Sequence, residues 1–474
     1  MRIERFLAEV RSGSCQVACA PFKQATNQRT LRCLFSSVSV SVAHDAHTRE
    51  SQEVLTKYGF GDGFVEEVAV QRFKLVPRHI VVGLALTVLT GGVGVNAAAL
   101  SAPKNSKSAA ARNNSGLKER RVDLATPKFS DPTSITNPLF PISDLDQVIQ
   151  LGEDQGEPLR VEVTLLPKTR TIKWKGQQVE VLVSQFIAYL DGRVLEVAVD
   201  YFAQADDGSV WYFGEKVDNY ENGVIANHDG SWLAGKDGRP GMIMPANPKV
   251  GDVYRPENIS GLVFEEVTVK AVNQVVDGPQ GHIEGAIRVE ELLMDGTTED
   301  KMFAPGYGEF LARAEDELVI LALAVPIDGQ GGSLPGALKV LSRGAAEIFD
   351  GASAGNWNDT SATLDSMTAA WESYQSGSTP KLLETQADIA LQALDRAVDA
   401  KRPGRVRQAA VRFGLASLDF ELRYRHFEKV DLDRIGLYGR RLVADNEAGN
   451  PPAVAGDVAV IETIWGRIAH TLSG

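Results

Sequence analysis

Two glutamates lie on strand-like faces that are otherwise apolar, and they are the residues best suited to acid–base chemistry. Alternation in LVFEEVTVKAV places Glu265 on the same face as Val263 and Val267, and alternation in AIRVEELLM places Glu291 beside Val289. Carboxyl groups inside a curved sheet have raised pKa values and can handle a ligand or a proton. The alternatives are a β-bulge at each Glu-Glu pair, or an outward face that happens to be apolar.

A hydrolase acting on an envelope glycan needs one acid and one base, and two carboxylates in a cleft meet that need. The candidate catalytic residues are Glu265 and Glu291, with Asp200 as a third carboxylate. The usual signatures of nucleophilic or cofactor-dependent enzymes, such as GxSxG, a P-loop, GxGxxG and HExxH, do not occur beyond the apolar segment that ends at Val95. The sequence therefore favours a protein without catalytic activity and predicts no cofactor.

Metal-ligating residues are sparse. The cysteines all fall near the start of the chain, at Cys15, Cys19 and Cys33. The histidines beyond the apolar segment lack a partner at metal-ligand spacing: His228, His282, His426 and His470. The sequence therefore predicts no metal site.

The stretch GSWLAGKDGRPGMIMPANPKVGDVY, from Gly230 to Tyr254, interrupts an otherwise strand-like region. Its glycines and prolines stop the sheet from continuing, while Trp232, Met242 and Met244 give a long connection its own apolar anchors. We expect a packed loop that closes one mouth of the sheet. The functional version of the same geometry is a lid over a ligand cleft, and it makes these three side chains candidate ligand-binding residues.

Charge narrows the class of partner. The chain has 474 residues, with 62 acidic and 49 basic side chains and a formal net charge of −13. Nucleic acids and anionic membrane surfaces are bound by clustered Lys and Arg, so neither is an expected partner. The length is sufficient for two or three domains, each with its own core.

The segment IVVGLALTVLTGGVGV, from Ile80 to Val95, predicts export. It follows basic residues, is short for a membrane span of about 20 residues, and precedes the small residues NAAALSA. We interpret residues 80–102 as a signal peptide core and cleavage region, with a membrane anchor as the alternative. Residues 1–79 then represent a misassigned start or a disordered extension, and residues 103–126 a flexible spacer. The predicted location is extracellular or in the cell envelope, without a stable membrane span after cleavage.

Residues 127–326 have the pattern of a largely antiparallel β domain. Asp-Gly turn signals recur between runs of β-branched and aromatic residues, such as QVEVLVSQFIAYL and RVLEVAVDYFAQ. Residues 327–358 read as a linker. Residues 359–474 show apolar residues at spacings of three and four, which predict an antiparallel bundle of four or five helices. The predicted class is α+β: a curved, largely antiparallel sheet, either a half-barrel or similar to lipoprotein carriers, followed by the bundle.

Four phrases together resemble an uncharacterised family of exported bacterial envelope proteins. They are NPLFPI, FIAYLDGRVLEVAVDYFAQADDGSVWYFGEKVDNYENG, GSWLAGKDGRPGMIMPANPKVGDVYRPEN and FAPGYGEF, and the match extends over residues 137–326. The resemblance implies secretion or an envelope location and a conserved β module, with a helical tail in some members. It brings no activity or catalytic residue. The chain departs from the family pattern in the first strand, where SDLDQVIQLGEDQGEP lacks the expected aromatic W/Y-x-Y.

These observations favour an exported envelope protein that binds an apolar ligand or a protein partner without catalysis. A lipid or other apolar small molecule is the expected ligand, and an envelope protein is the expected macromolecular partner. One alternative is an envelope-glycan hydrolase that uses the paired carboxylates. The other is a purely structural docking module whose helices recognise the partner.

Overall fold

The computed structural model describes residues 120–472. The predicted signal peptide, the chain before it and most of the predicted spacer lie outside the described residues. Of the helices in the described part, none combines the length and apolar composition that a membrane span requires.

A sheet of sixteen strands forms the first part of the described chain, and six helices form the second, so the predicted α+β class is confirmed. The strands are β1 Arg120–Arg121, β2 Gln147–Asp154, β3 Glu157–Leu165, β4 Arg170–Trp174, β5 Gln177–Leu190, β6 Arg193–Gln204, β7 Val210–Glu221, β8 Val224–Asn227, β9 Trp232–Leu233, β10 Gly241–Met244, β11 Asp252–Ile259, β12 Val263–Gly278, β13 Gly281–Leu293, β14 Thr298–Ala304, β15 Gly308–Ala314 and β16 Glu317–Val325. The helices are α1 Gly336–Ala354, α2 Trp357–Gln375, α3 Lys381–Asp399, α4 Pro403–Glu421, α5 Phe427–Glu447 and α6 Pro451–Ile468.

Two stretches differ from their sequence-based assignment. Arg120–Arg121, at the end of the predicted spacer, forms β1 and pairs in parallel with β11. Helix α1 occupies Gly336–Ala354, most of the predicted linker, and buries an apolar stripe that includes Leu341 and Ile348. The spacing of that stripe is helical, but the preceding glycines and prolines resemble a linker.

Apart from the β1 ladder, the named strands pair in antiparallel fashion, in the order β1-β11-β12-β13-β14-β15-β16-β2-β3-β5-β6-β7-β10. Strands β10 and β11, near opposite ends of this order, contact each other, so the sheet curls round on itself. This contact depends on glycine. A Cβ atom on Gly241 would lie 1.7 Å from the carbonyl oxygen of Pro256, which no other residue type could tolerate.

The curl gives the sheet an inner and an outer face, and alternation assigns side chains to each. On β3, Val163 lies on the inner face, while Arg160 and Glu162 point outward to the helices. One apolar core cluster joins Tyr212, Trp232 and many other buried side chains of the sheet.

The helices are joined to the outer face of the sheet by a buried network of ion pairs. The guanidinium of Arg467 on α6 contacts Glu162 at 2.9 Å and Asp431 on α5 at 2.7 Å. Arg160 on β3 binds Asp419 on α4 at 2.6 Å. Burial opposes ionisation of Glu162, but the neighbouring guanidinium groups outweigh it and lower its pKa. The network therefore holds sheet and helices together as one packed unit.

Candidate functional site

A cavity of about 120 Å³ lies on the inner face of the curved sheet. Much of its lining is apolar and comes from elements that are distant in sequence: Phe140, Pro141, Ile142, Leu145, Val148, Val163, Phe186, Phe202, Ile243, Pro256, Val267, Val289 and Phe303. The connection between β1 and β2 contributes to the lining, and so do the strands β6, β10 and β14. Each of the four phrases quoted for the family resemblance supplies at least one lining residue, so these phrases converge on one place in the fold.

Acidic side chains also line the cavity and continue across neighbouring strands. We call this set the acidic belt; its members are Asp200, Glu215, Glu257, Glu265, Glu291, Glu299 and Glu309. Three pairs stand directly opposite each other in the ladders, namely Asp200 with Glu215, Glu257 with Glu265, and Glu291 with Glu299. Like charges in such positions repel, so the belt resists ionisation of all its members at once.

Lys301 on β14 provides a positive charge within the belt. Its ammonium group contacts Glu291, lies 3.3 Å from Glu299 and lies 3.8 Å from Glu309. Burial alone would lower the pKa of this lysine, but the surrounding carboxylates outweigh it and raise the pKa well above its ordinary value. Lys301 is therefore a permanent cation at neutral pH, not a nucleophile.

Three carboxyl groups of the belt that form no ion pair with Lys301, namely Asp200, Glu215 and Glu257, have raised pKa values. Burial raises the pKa of Asp200 to about 7, although the Tyr212 hydroxyl donates a hydrogen bond to it at 3.0 Å. Burial also raises the pKa of Glu257 to about 8, even though the indole N–H of Trp232 donates to its Oε1. The pKa of Glu215 is also raised well above its ordinary value, by burial and by the charge of Glu257. Asp200 and Glu257 are therefore largely protonated at pH 6.

Two buried hydroxyl groups line the cavity without a hydrogen-bond partner among the described residues. They belong to Tyr254 on β11 and Ser184 on β5, and both side chains are 0 % exposed. A buried polar group left unsatisfied costs about 1–3 kcal/mol. A ligand that supplies a partner recovers that cost, so both hydroxyls indicate a site for a polar group.

The structure brings the predicted acid–base residues together. Glu265 and Glu291 are 4 % and 2 % exposed, and both line the cavity with Asp200. Because Glu265 pairs with Leu293 and Glu291 with Val267, the two glutamates are diagonal neighbours on one face of the β12–β13 ladder. Diagonal neighbours of this kind lie about 7–8 Å apart. The ladder is regular through both Glu-Glu pairs, so the bulge interpretation is wrong for this pair of strands.

The three residues predicted from the loop have a different location. Trp232, Met242 and Met244 are buried in an apolar core cluster of the sheet and are not lining residues of the cavity. The ring of Trp232 meets Tyr212 edge to face at 5.5 Å. Ile243, between the two methionines, does line the cavity. The stretch from Gly230 to Tyr254 is thus a packed connection that contributes Ile243 and Tyr254 to the cavity wall, instead of the three predicted side chains.

Sequence reasoning missed Lys301, Tyr254 and Ser184. One signal was available, because alternation in TEDKMFA places Glu299, Lys301 and Phe303 on the same face. The two hydroxyl groups had no comparable signal, since an ordinary strand residue becomes a site residue only through what surrounds it. Across residues 120–472 no group of three His, Cys, Asp or Glu side chains is arranged to hold a metal ion.

Comparison with known proteins yields no protein-family model, no curated protein and no solved structure that matches the chain. The resemblance to envelope proteins therefore stays a prediction. The cavity and its chemistry are therefore the basis for inferring a function.

Proposed function

We propose that the protein binds a small, mainly apolar molecule in the cavity of the curved sheet and does not transform it. The observation that carries this proposal is the combination of an apolar lining with the unpartnered hydroxyls of Tyr254 and Ser184. Binding sites for small molecules have this character, with few polar groups placed in a largely apolar wall.

The size of the cavity limits the ligand. An engineered cavity of about 150 Å³ in another protein holds a benzene molecule, and the volume here is about 120 Å³. A single ring or a short alkyl group fits such a space, whereas a two-chain lipid does not fit as a whole. The expected lipid ligand is thus narrowed to a small amphiphile or to one end of a longer molecule.

The proposal includes the expected location and type of sheet. An exported protein of the cell envelope, with a curved sheet of the half-barrel or lipoprotein-carrier type, suits the binding of a poorly soluble small molecule. The apolar segment from Ile80 to Val95 motivates the export part of this proposal. Fractionation of the producing bacterium, with immunoblotting of cytoplasm, envelope and medium, tests it; recovery in the cytoplasm alone would refute it.

Thermal unfolding of the full chain with one-ring compounds tests the binding proposal. Toluene, benzyl alcohol and benzylamine are suitable probes, and a ligand at 100 times its dissociation constant stabilises a protein by about 2.7 kcal/mol. Val267→Phe fills the cavity, whereas Val275→Phe makes the same change at a position of the same strand that is 59 % exposed.

We expect at least one probe to raise the unfolding temperature of the wild type and of the Val275→Phe variant. The Val267→Phe variant should lose this response, because the new ring occupies the site. If no probe shifts the wild type, or if both variants respond equally, the cavity is not the binding site.

The second candidate function is acid–base hydrolysis of an envelope glycan. It is favoured by the presence of Asp200, Glu265 and Glu291 in one cavity, with the pKa of Asp200 raised to about 7 by burial, as a general acid requires. The ion pair between Glu291 and Lys301 weighs against it, since a carboxylate so held is a poor base.

Mass spectrometry of peptidoglycan fragments incubated with the full chain tests hydrolysis. We expect any product to disappear in Glu265→Gln and to persist in Glu266→Gln, whose side chain is instead paired with Arg255 at 2.6 Å. Intact fragments with the wild-type protein would exclude this function for that substrate class.

A further inference from the structure

We propose that the ligand of the cavity carries a protonated amine, and that binding of the ammonium group is coupled to the release of protons from the acidic belt. This inference rests on the proposed binding function and names the chemical class of its ligand: a small primary ammonium compound with an apolar body of about one ring. Three features of the cavity support it: the charge balance of the belt, its titration and the unpartnered hydroxyls.

The first feature is the charge balance of the acidic belt. The belt contains seven carboxyl groups, and the ammonium of Lys301 is directed to one end of it, where Glu291, Glu299 and Glu309 surround it. Asp200 also lines the cavity and forms no ion pair with Lys301. A second cation in the cavity would face this carboxyl group. An anion would face it too, at a cost that rises in a low-dielectric interior.

The second feature is the titration of the Asp200 carboxyl group. A nearby opposite charge within about 4–6 Å favours the charged form of a carboxyl group and lowers its pKa by about 1–3 units. Burial raises the pKa of Asp200 to about 7, so a bound ammonium would ionise this group at neutral pH and expel its proton. The groups that face Asp200 are Glu196 on its own strand, Tyr212 and Glu215 on β7, and Glu257 on β11.

The cavity walls across from Asp200 add Glu265 on β12, Glu291 on β13, Lys301 on β14 and Glu309 on β15. Every one of these neighbours except Lys301 is acidic or neutral. The field at Asp200 therefore opposes ionisation until a cation arrives, which makes proton release and cation binding one event.

The third feature is the pair of buried hydroxyl groups, which is an observation separate from the charges of the belt. Tyr254 and Ser184 are 0 % exposed, line the cavity and have no hydrogen-bond partner among the described residues. A hydroxyl oxygen accepts a hydrogen bond from an ammonium N–H. A primary ammonium has three N–H donors, so it can satisfy a hydroxyl and a carboxylate at once. The aromatic rings of Phe140 and Phe202, whose centroids are 4.9 Å apart, provide an apolar wall for the body of the ligand.

Isothermal titration calorimetry of the full chain with three probes of similar shape tests the inference. Benzylamine is cationic, benzyl alcohol neutral and benzoate anionic from pH 5.5 to 7.5. Titrations in buffers of different ionisation enthalpy count the protons released. We expect benzylamine to bind about tenfold tighter than benzyl alcohol at pH 7.5, and benzoate not to bind. For one proton released, the affinity for benzylamine rises about tenfold per pH unit below pH 7, while that for benzyl alcohol stays constant.

Matched variants locate the charge. Asp200→Asn removes a carboxylate of the cavity with little change of shape, and it should weaken benzylamine binding at least fivefold more than benzyl alcohol binding. Glu290→Gln is the control, because its side chain is 44 % exposed and pairs with Lys270; it should alter neither affinity. The wild-type comparison of the three probes decides the question even where a variant fails to fold.

The outcomes separate the two proposals. Equal affinity for benzylamine and benzyl alcohol, or benzylamine binding without proton release, overturns the ammonium inference and leaves the binding function intact. If none of the three probes binds, both the inference and the binding function are refuted. Tighter binding of benzoate than of benzylamine would reverse the sign of the charge argument and refute it directly.

Discussion

Removing one carboxyl group from the acidic belt should change how the stability of the protein depends on pH. The substitution is Glu257→Gln, which keeps the size of the side chain and an oxygen that accepts the hydrogen bond from Trp232. Burial raises the pKa of Glu257 from 4.5 to about 8 in the folded protein. The folded state therefore holds a proton that the unfolded state releases over most of this range.

The sign follows from this difference. Stability contributed by the protonated Glu257 is fully present below pH 4.5 and is lost as the pH rises through about 8. Each pH unit in which only the folded state is protonated costs about 1.4 kcal/mol. Between pH 5.5 and pH 7.5 the wild type should thus lose about 2–3 kcal/mol from this group. Glutamine does not titrate, so the variant should lose that much less.

Urea unfolding followed by tryptophan fluorescence at pH 5.5, 6.5 and 7.5 measures this difference. The free energy of unfolding of Glu257→Gln, relative to that of the wild type, should rise by about 1.4 kcal/mol per pH unit. Glu290→Gln, at an exposed position paired with Lys270, is the control and should follow the wild type. Parallel curves for Glu257→Gln and the wild type would show that Glu257 is ionised in the folded protein, and the reasoning about the belt would then fail.

Three further substitutions test the architecture that supports the cavity, each by urea unfolding. Arg467→Met leaves buried carboxylates without their cation and should cost about 3–5 kcal/mol, against less than about 1 kcal/mol for the exposed pair broken by Arg343→Met; equal costs would refute the role of the network. Gly241→Ala places a methyl group against the backbone of β11 and should cost about 3 kcal/mol or more, whereas Gly404→Ala, with open space around it, should cost little; a tolerated Gly241→Ala would contradict the close approach of β10 and β11. Trp232→Phe removes the hydrogen bond to the belt and should cost about 1–3 kcal/mol, and an unchanged midpoint would show that this bond does not contribute.

Local pattern was sufficient for the class of fold and for naming some acidic residues of the candidate site. Period-two alternation placed Glu265 and Glu291 in phase with apolar residues but left open whether that face points inward, and the structure buries both in one cavity. The same reasoning gave helices to residues 359–474, although it interpreted α1 as part of a linker. Alternation works here because the inner face of the curved sheet is mostly apolar, so an acidic residue in phase with valines is conspicuous.

The site as a whole was beyond local pattern. Asp200 on β6 meets Glu265 on β12 only because the sheet curls until β10 touches β11. The hydroxyl groups of Tyr254 and Ser184 become candidate binding groups only in the folded protein, where neither has a hydrogen-bond partner among the described residues. Trp232 was a candidate ligand-binding residue but is buried in an apolar core cluster. An aromatic anchor in a loop has the same sequence pattern whether it lines a cavity or fills a core.

The sequence by itself determined the period of each segment, the apolar and acidic residues that share a face, and the turns between strands, because these depend on neighbours within a few positions. Only the tertiary structure decided which faces meet. Arg467 pairs with Glu162 across 305 positions of the chain, and the pKa of Asp200 is raised because distant strands exclude water from it. Both effects depend on distances and on solvent access, which are properties of the packed molecule and are not encoded in any single stretch of residues.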